Sequence, residues 1–341
     1  FGGGGYVSMK AGKFGITANY GYNYRNSPWN DSYSERFTDE DMLADGNPTR
    51  LEEKGRSKNK GPFQYGYLEG SYEIDTLNLL SVGVNLFRGK NKSLSELDAV
   101  LDPLDGIDNR LRSYDPVYRY NRNSVSEGTF GSTDINVDFQ HSTSKKDELL
   151  TLSYRFSQSP NDNEGRTEVD VQEGYYYLSG EYPKWNINDA STVEHTGQVD
   201  YTTPLFEKQT LEVGVKYINR QNKSNTLEQI YTKIWEDRSR DNSQFKHTQH
   251  IYSAYLGYLV RLNKFGIKAG VRAEGTSLKA SFARKPDLNF STDYFDVVPN
   301  ATLTYQMDMS SQIRLGYNMR IQRPGIWFLN PYINDVNPQN I

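Results

Sequence analysis

The sequence contains no cysteine and only four histidines among its 341 residues. Disulfides, thiol catalysis and zinc–thiolate sites are therefore excluded, and a histidine-rich metal centre has few candidate ligands. Neither sign of charge dominates, since 39 Lys and Arg stand against 43 Asp and Glu. This balance argues against nucleic acid as a partner. Long apolar runs are also missing, which excludes a transmembrane helix.

Aromatic residues, in contrast, make up 13% of the chain, which is not typical of disorder. The hydrophobic fraction of 35% is nevertheless low for the core of a soluble protein of this length. A polar, aromatic-rich and cysteine-free composition is typical of transmembrane β-barrels. The chain begins at Phe1 without an initiator methionine or signal peptide, and we expect it to be a fragment.

Apolar residues recur at every second position along much of the chain, which predicts β-strands with one apolar face. The alternation is clear in residues 14–24, 80–86, 135–139, 150–156, 211–217, 265–271 and 313–321. It predicts about twelve strands of roughly 8–13 residues, long enough to cross a bilayer at a tilt. The pattern slips near Leu68, where we expect a bulge.

Short and long connections alternate between these strands. The short turns fall at residues 11–13, 75–78, 142–147, 202–209, 261–264 and 307–311, and the long polar stretches at 27–60, 89–127, 158–193, 221–246 and 277–293. We therefore predict an all-β, antiparallel up-and-down transmembrane β-barrel with short periplasmic turns and long external loops. A soluble β-sandwich is the alternative, but its hairpin loops usually have only 2–5 residues. Within the fourth long stretch, residues 228–237 fit either a loop helix or a β-hairpin extension.

The strand face opposite the apolar one carries charged residues. In a dry core each of them would need a partner, whereas a wet lumen tolerates them. The lumen-facing candidates are Arg155, Lys268, Arg272, Glu274, Arg314 and Arg320.

Evidence for metal or catalytic chemistry is weak. His247 and His250 are three residues apart, so on a strand they point to opposite faces and cannot chelate one metal ion. Asp102, Asp105 and Asp108 resemble part of a calcium-binding turn but lack the full spacing and the terminal glutamate of an EF-hand loop. A solvated acidic loop is the favoured interpretation. We expect no cofactor and no enzymatic activity.

The most specific motif lies near the end of the sequence. Residues 294–305 lead through a turn into a strand that ends at Arg320, Arg323 and Pro324, followed by Leu329, Asn330 and Pro331. Pro324 removes a backbone donor and would end the strand ladder. The combination resembles the outer-membrane β-barrel family of TonB-dependent receptors, of the type abundant in Bacteroidota.

This resemblance implies a complete barrel of roughly 22 strands, of which residues 1–341 are one part, lacking the N-terminal plug domain and the C-terminal strands. It implies four partners, which are outer-membrane lipid, the protein's own plug, the TonB energy-coupling complex and a surface lipoprotein. The six lumen-facing residues then become candidates for contact with plug or ligand. The implied function is import of an unidentified ligand across the bacterial outer membrane. The alternatives are a barrel with an adhesion, assembly or other non-transport role, and a soluble secreted β-protein.

Overall fold

One antiparallel sheet of 14 strands forms nearly all of the protein in the computed structural model, which describes residues 1–38, 49–103, 118–174, 183–231, 234–239 and 244–323. The strands are β1 (Gly2–Ala11), β2 (Phe14–Asn26), β3 (Asn30–Thr38), β4 (Thr49–Glu73), β5 (Asn78–Pro103), β6 (Tyr118–Ser142), β7 (Leu149–Glu173), β8 (Lys184–Phe206), β9 (Gln209–Tyr231), β10 (Trp235–Asp237), β11 (Gln244–Leu262), β12 (Phe265–Phe282), β13 (Phe290–Gln306) and β14 (Gln312–Asn318). A single 3-10 turn, Pro286–Leu288, precedes β13. No helix in these ranges is long and apolar enough to cross a membrane.

The strands pair in the order β1-β2-β4-β5-β6-β7-β8-β9-β11-β12-β13-β14. Strands β3 and β10 lie off this path. Strand β3 pairs with the upper part of β4, and β10 pairs with the end of β9. The twelve strands of the path confirm the predicted number and the up-and-down arrangement. In the described ranges, β1 and β14 form the two ends of the path.

All six predicted short turns are present and lie on one rim of the sheet. They join β1 to β2, β4 to β5, β6 to β7, β8 to β9, β11 to β12 and β13 to β14. The long connections join the other ends of the strands, at the opposite rim. We call the strand portions next to the short turns the lower half of the sheet, and the portions toward the long connections the upper half.

The predicted strand length of roughly 8–13 residues is wrong for the central strands. Strands β4 to β7 have 25 or 26 residues each, and β8 and β9 have 23. The predicted loops are therefore largely strand, and residues 228–237 extend a hairpin rather than form a helix. The alternation fades there because polar side chains occupy both faces, so the sequence carries no period-two contrast.

The predicted bulge near Leu68 is also wrong, because Leu68 pairs regularly with Ala18 and Val84. The register shifts at Arg119/Tyr120 and at Pro204/Phe206 instead. A different irregularity occurs at mid-height, where neighbouring strands lose pairs while keeping their register. The β4–β5 ladder skips residues 61–62, β6–β7 skips 131–132 and β7–β8 skips 161–162.

Glycine is required at two points of this mid-height belt of interrupted ladders, Gly61 of β4 and Gly131 of β6, whose added Cβ would collide with the backbone at Phe87. A Cβ added to Gly61 would lie 1.8 Å from the Lys90 carbonyl oxygen, so the backbone of β5 approaches too closely for any side chain. The adjacent Pro62 has no backbone donor for the ladder. The belt therefore separates the two halves of β4.

The best-buried apolar residues lie in the upper half. One cluster joins Ala99 and Leu101 of β5 to Tyr118 and Tyr120 of β6, all at most 6% exposed. A second cluster joins Phe245, Ala280 and Phe282, and the rings of Phe245 and Phe282 are 5.0 Å apart between centroids. These clusters form a small core on one face of the sheet, well away from the short turns.

Candidate functional site: the polar inner face

Strand register brings the predicted apolar residues together on one face of the lower half. Leu68 of β4 pairs with Val84 of β5, Val84 pairs with Ile135 of β6, and Ile135 pairs with Phe156 of β7. The same face continues through Val199, Val215, Leu256, Val271 and Leu303. Many of these side chains are exposed; Val215 is 55% exposed. We call this apolar band the outer face, and the opposite side the inner face.

Alternation along β7, β12 and β14 places five of the six charged candidates on the inner face. The sixth, Arg320, lies two residues beyond the end of β14 and continues the alternation of that strand. Two of them pair with carboxylates of other strands. Arg155 Nη2 lies 2.6 Å from Asp134 Oδ1, and Lys268 Nζ lies 2.7 Å from Glu212 Oε2. These contacts neutralise part of the inner face and tie β6 to β7 and β9 to β12. Alternation in the sequence places both members of each pair on this face and favours pairing across strands, but it does not specify which residues pair.

Glu274 is the centre of a third charged group. Its side chain is 5% exposed and forms ion pairs with two arginines, with Arg272 Nε at 2.5 Å and Arg323 as the second partner, which also donates a hydrogen bond to it. Arg323 Nη2 also donates to Thr276 Oγ1 at 3.2 Å. Arg323 of the sequence motif therefore contacts the inner face of β12. The remaining motif residues Pro324, Leu329, Asn330 and Pro331 lie outside the described residues.

Arg314 and Arg320 differ from the other four candidates. Both are exposed, and neither forms an ion pair with any described residue. Their charges are therefore available to another part of the protein or to a ligand.

A polar groove of about 1410 Å³ lies on the inner face at mid-height. Neutral amides and hydroxyls of seven strands, β2 and β4 to β9, line it, with the phenyl rings of Phe63 and Phe130. The charged residues Arg25, Lys60, Lys90 and Asp162 also border it. The main polar residues are Asn23, Asn59, Ser126, Asn163, Asn188 and Thr226. Several bond to each other; Ser126 Oγ donates to Asn163 Oδ1 at 2.9 Å and Thr226 Oγ1 donates to Asn188 Oδ1 at 3.1 Å.

The groove was not predicted, because most of its residues fall in stretches assigned to loops. A signal was present in the repeated small polar residues at every second position, as in Ser124, Ser126 and Gly128 or Asn161, Asn163 and Gly165. Chemically, amides and hydroxyls can hydrogen-bond to uncharged polar groups of a bound molecule. The lining offers binding groups without an evident nucleophile–base pair.

The histidine prediction is confirmed. His247 is 4% exposed on the inner face, where its Nδ1 lies 2.9 Å from Asn222 Nδ2. His250 lies on the other face, where its Nδ1 is 2.8 Å from the Tyr217 hydroxyl. Within the described ranges no group of His, Asp and Glu could hold a metal ion. Of the calcium candidates, Asp102 is buried at the end of β5, whereas Asp105 and Asp108 lie outside the described residues.

Comparison with known proteins identifies the family. A model of the outer membrane protein beta-barrel family matches residues 141–341, which is more than half of the chain. The chain belongs to this family. It is therefore a protein of the bacterial outer membrane, and the prediction of a membrane β-barrel rather than a soluble β-protein is confirmed. No curated protein matches the chain.

Three solved structures are similar to the chain. The unliganded ferric citrate transporter FecA matches 92% of this chain and 42% of its own, with 12% identity and a TM-score of 0.50. The match to the outer membrane protease OmpT from Escherichia coli covers 83% of this chain and 95% of OmpT, with 9% identity and a TM-score of 0.24. The match to the alcaligin outer membrane receptor FauA from Bordetella pertussis covers 92% of this chain and 67% of FauA, with 11% identity and a TM-score of 0.17. The FecA similarity shows a shared fold, and the chain spans less than half the length of FecA.

Proposed function

We propose that the chain is part of the barrel of a TonB-dependent receptor that imports a ligand across the outer membrane. The observation that carries the proposal is the polar groove of about 1410 Å³ on the inner face, directly above the ion-paired lower half. A face lined by amides, hydroxyls and charges suits a water-filled path, whereas the apolar band of the outer face suits lipid. Transport of this kind needs no covalent chemistry and no cofactor, so the proposed role is not enzymatic.

The proposed complete barrel is larger than the described sheet. Residues 1–341 form one arc of it, and we propose about 22 strands with a plug domain inside, as in the Bacteroidota-type receptors that the sequence resembles. Two observations support a larger barrel. The described path ends in unpaired β1 and β14 edges, and the chain matches only 42% of FecA. The proposed partners are lipid, the plug, the TonB complex and a surface lipoprotein.

The six charged candidates divide into two proposed roles. Arg155, Lys268 and the Arg272–Glu274 pair are bound to partners on the sheet, so they stabilise the inner face. Arg314 and Arg320 have no such partner among the described residues, so they are the better candidates for contact with a plug or ligand. Well-placed charge-assisted hydrogen bonds contribute about 1.5–3 kcal/mol each.

Uptake by cells tests this division. In the complete protein, Arg314→Gln with Arg320→Gln should lower ligand-dependent growth while surface abundance stays normal. The matched control, Arg155→Gln with Lys268→Gln, also removes two positive charges from the inner face and should affect stability more than uptake. Equal uptake by all three proteins would contradict the division of roles.

Dependence on energy coupling tests import itself. Growth on the candidate ligand should be lost in a strain without the energy-coupling protein. If growth is unchanged there, import by this mechanism is wrong and the adhesion or assembly role takes its place.

A further inference from the structure

A cluster of basic side chains lies on the side of β4 and β5 that continues the outer face upward. It consists of Lys58, Lys60, Arg88, Lys90 and Lys92, which we call the basic patch. Leu86 ends the uninterrupted run of apolar outer-face residues Leu80, Val82, Val84 and Leu86 on β5, and Arg88 is the next residue on that face. The patch therefore begins where the apolar band ends.

The charges of the basic patch are poorly balanced by the protein. Lys60 lies directly opposite Lys92 in the β4–β5 ladder, and like charges at such a position repel. Lys92 Nζ lies 2.5 Å from Glu127 Oε1 on β6. In the described ranges, Lys58, Lys60, Arg88 and Lys90 make no ion pair. Four cations thus remain without a close carboxylate partner.

The pKa of Glu127 shows that three of these cations lie close enough together to affect the same carboxyl group. The hydrogen bond from Lys92 and the charge of Lys92 lower the pKa of the Glu127 carboxyl, and the charges of Lys90 and Lys60 lower it further. One carboxylate therefore sits in the field of three ammonium groups. Lys60 and Lys90 also border the inner-face groove at the interrupted β4–β5 ladder.

The height of the basic patch relative to the membrane follows from strand geometry. A strand rises about 3.3 Å per residue and barrel strands tilt by roughly 35–45°. Arg88, Lys90 and Lys92 are two, four and six residues above Leu86, so they lie roughly 5, 10 and 15 Å above the last apolar row. Lipid headgroups occupy about the first 5–7 Å beyond the hydrocarbon, within reach of these long side chains.

We propose that the basic patch binds the phosphate groups of anionic lipid headgroups in the outer leaflet. Arginine and lysine form strong charge-assisted hydrogen bonds with phosphate, and the site faces lipid rather than the lumen. Lipid headgroups are confined to the edge of the apolar band, where the basic patch lies. An acidic protein partner could bind at any height on the outer face, so the position of the patch favours lipid. The proposal does not require the transport role, but Lys60 and Lys90 also border the groove, so the variants are scored by lipid binding and not by uptake.

The experiment measures lipid retained by the complete protein. The protein is purified in detergent, mixed with a diphosphorylated glycolipid, and analysed by native mass spectrometry. The variant Lys60→Gln, Arg88→Gln, Lys90→Gln should bind roughly 10-fold less lipid, because each basic residue near an anionic surface contributes to binding. The dephosphorylated glycolipid should bind the unchanged protein as weakly as the phosphorylated lipid binds the variant.

The chain offers a matched control set. Lys223, Lys246 and Lys279 are exposed on the same side of β9, β11 and β12, and Lys223 pairs directly with Lys246. Lys223 and Lys246 lie six residues from Tyr217 and Tyr252 of the outer face, and the residues between them on that face carry no lysine or arginine. Their triple change to Gln removes the same charge and should leave lipid binding unchanged.

Three outcomes would overturn the proposal. The first is an equal loss of lipid binding in both triple variants, and the second is equal binding of the phosphorylated and dephosphorylated glycolipids. The third is complete displacement of the glycolipid by millimolar inorganic phosphate. A charge-preserving variant, Lys60→Arg with Arg88→Lys and Lys90→Arg, covers the case in which the Gln variant fails to fold. It should retain at least half of the lipid binding. Loss of binding in this folded variant would also contradict a phosphate site.

Discussion

The lower and upper halves of the same strands have opposite polarity. In the lower half the outer face is apolar, as at Val84, and the inner face carries ion pairs such as Arg155 with Asp134. In the upper half the inner face buries Tyr120 and Phe282. A single strand therefore passes through two environments. Where it leaves the lipid, the apolar side chains move from the outer face to the inner face.

Strand length explains why both halves exist. A strand of 25 residues rises about 80 Å, or roughly 60 Å in height at the usual tilt. The apolar band of an outer-membrane barrel is about 25 Å tall. More than half of each central strand thus stands above the lipid, and its stability must come from its own inner-face contacts.

The largest expected difference between the halves is in accessibility. Lys246→Cys and Lys279→Cys at the upper rim should react with an impermeant maleimide on intact cells. Lys208→Cys and Lys264→Cys, at the short turns, should react only after the outer membrane is opened. The chain has no cysteine of its own, so each label reports one site. Labelling of upper and lower sites alike would break the comparison.

A core substitution in the upper half should have the next largest effect. Phe282→Ala removes a ring that is 3% exposed and packs against Phe245. We expect the free energy of unfolding of the complete protein to fall by about 3–5 kcal/mol. Leu288→Ala, in the neighbouring 3-10 turn at 40% exposure, is the control and should cost less than about 0.5 kcal/mol. Urea titration in lipid vesicles measures both, and similar costs would mean that the upper half has no core.

A charge on the outer face should distinguish the halves by a slightly smaller amount. Val84→Arg or Ile267→Arg places a guanidinium in lipid and should cost about 2–4 kcal/mol near the midplane. Leu94→Arg, ten residues above Val84 on the same face of β5, should cost less than about 1 kcal/mol because the side chain meets water. The same titration measures these variants. Equal costs at Val84 and Leu94 would mean that the lipid boundary is misplaced.

The smallest expected effect concerns pH at the short-turn rim. Hydrogen bonds from Thr143, Tyr201 and Thr203 lower the pKa of Glu148 from 4.5 to about 2. Because the folded pKa is lowered, the carboxylate stabilises the turn above pH 4.5, and this contribution is lost as the pH falls toward 2. Amide exchange of residues 143–148, corrected for the intrinsic pH dependence, should reveal the loss. Glu148→Gln should remove it, and an unchanged profile in that variant would contradict the assignment.

The sequence predicts the lower half far better than the upper half. Around Val84 and Leu152 one face meets lipid and the other a wet lumen, so the alternation is strong and the short turns are evident. Around Asn59 and Ser126 both faces are polar, so the sequence resembles a loop although the chain is a strand. The buried clusters of the upper half depend on contacts between strands, such as Leu101 with Tyr118, that local periodicity cannot show.

The candidate site shows the same limit. Alternation placed Arg155, Lys268 and Glu274 on one face, because that depends only on position within a strand. It could not show that Arg323 reaches back 49 residues to Glu274, or that neutral side chains of seven strands form one groove. Those features depend on register, which one sequence does not specify.

The order of strands in the sheet has a consequence for how the protein reaches its folded state. Apart from the short β3 and β10, every strand on the main path pairs with the strand that precedes it and the strand that follows it in the chain. Hairpins can thus form locally and join one after another, without a long-range closure at each step. At every stage the newest strand presents an open edge that templates the next one. Assembly can therefore proceed by stepwise addition of neighbouring strands, and an interruption leaves an open edge rather than a misordered sheet.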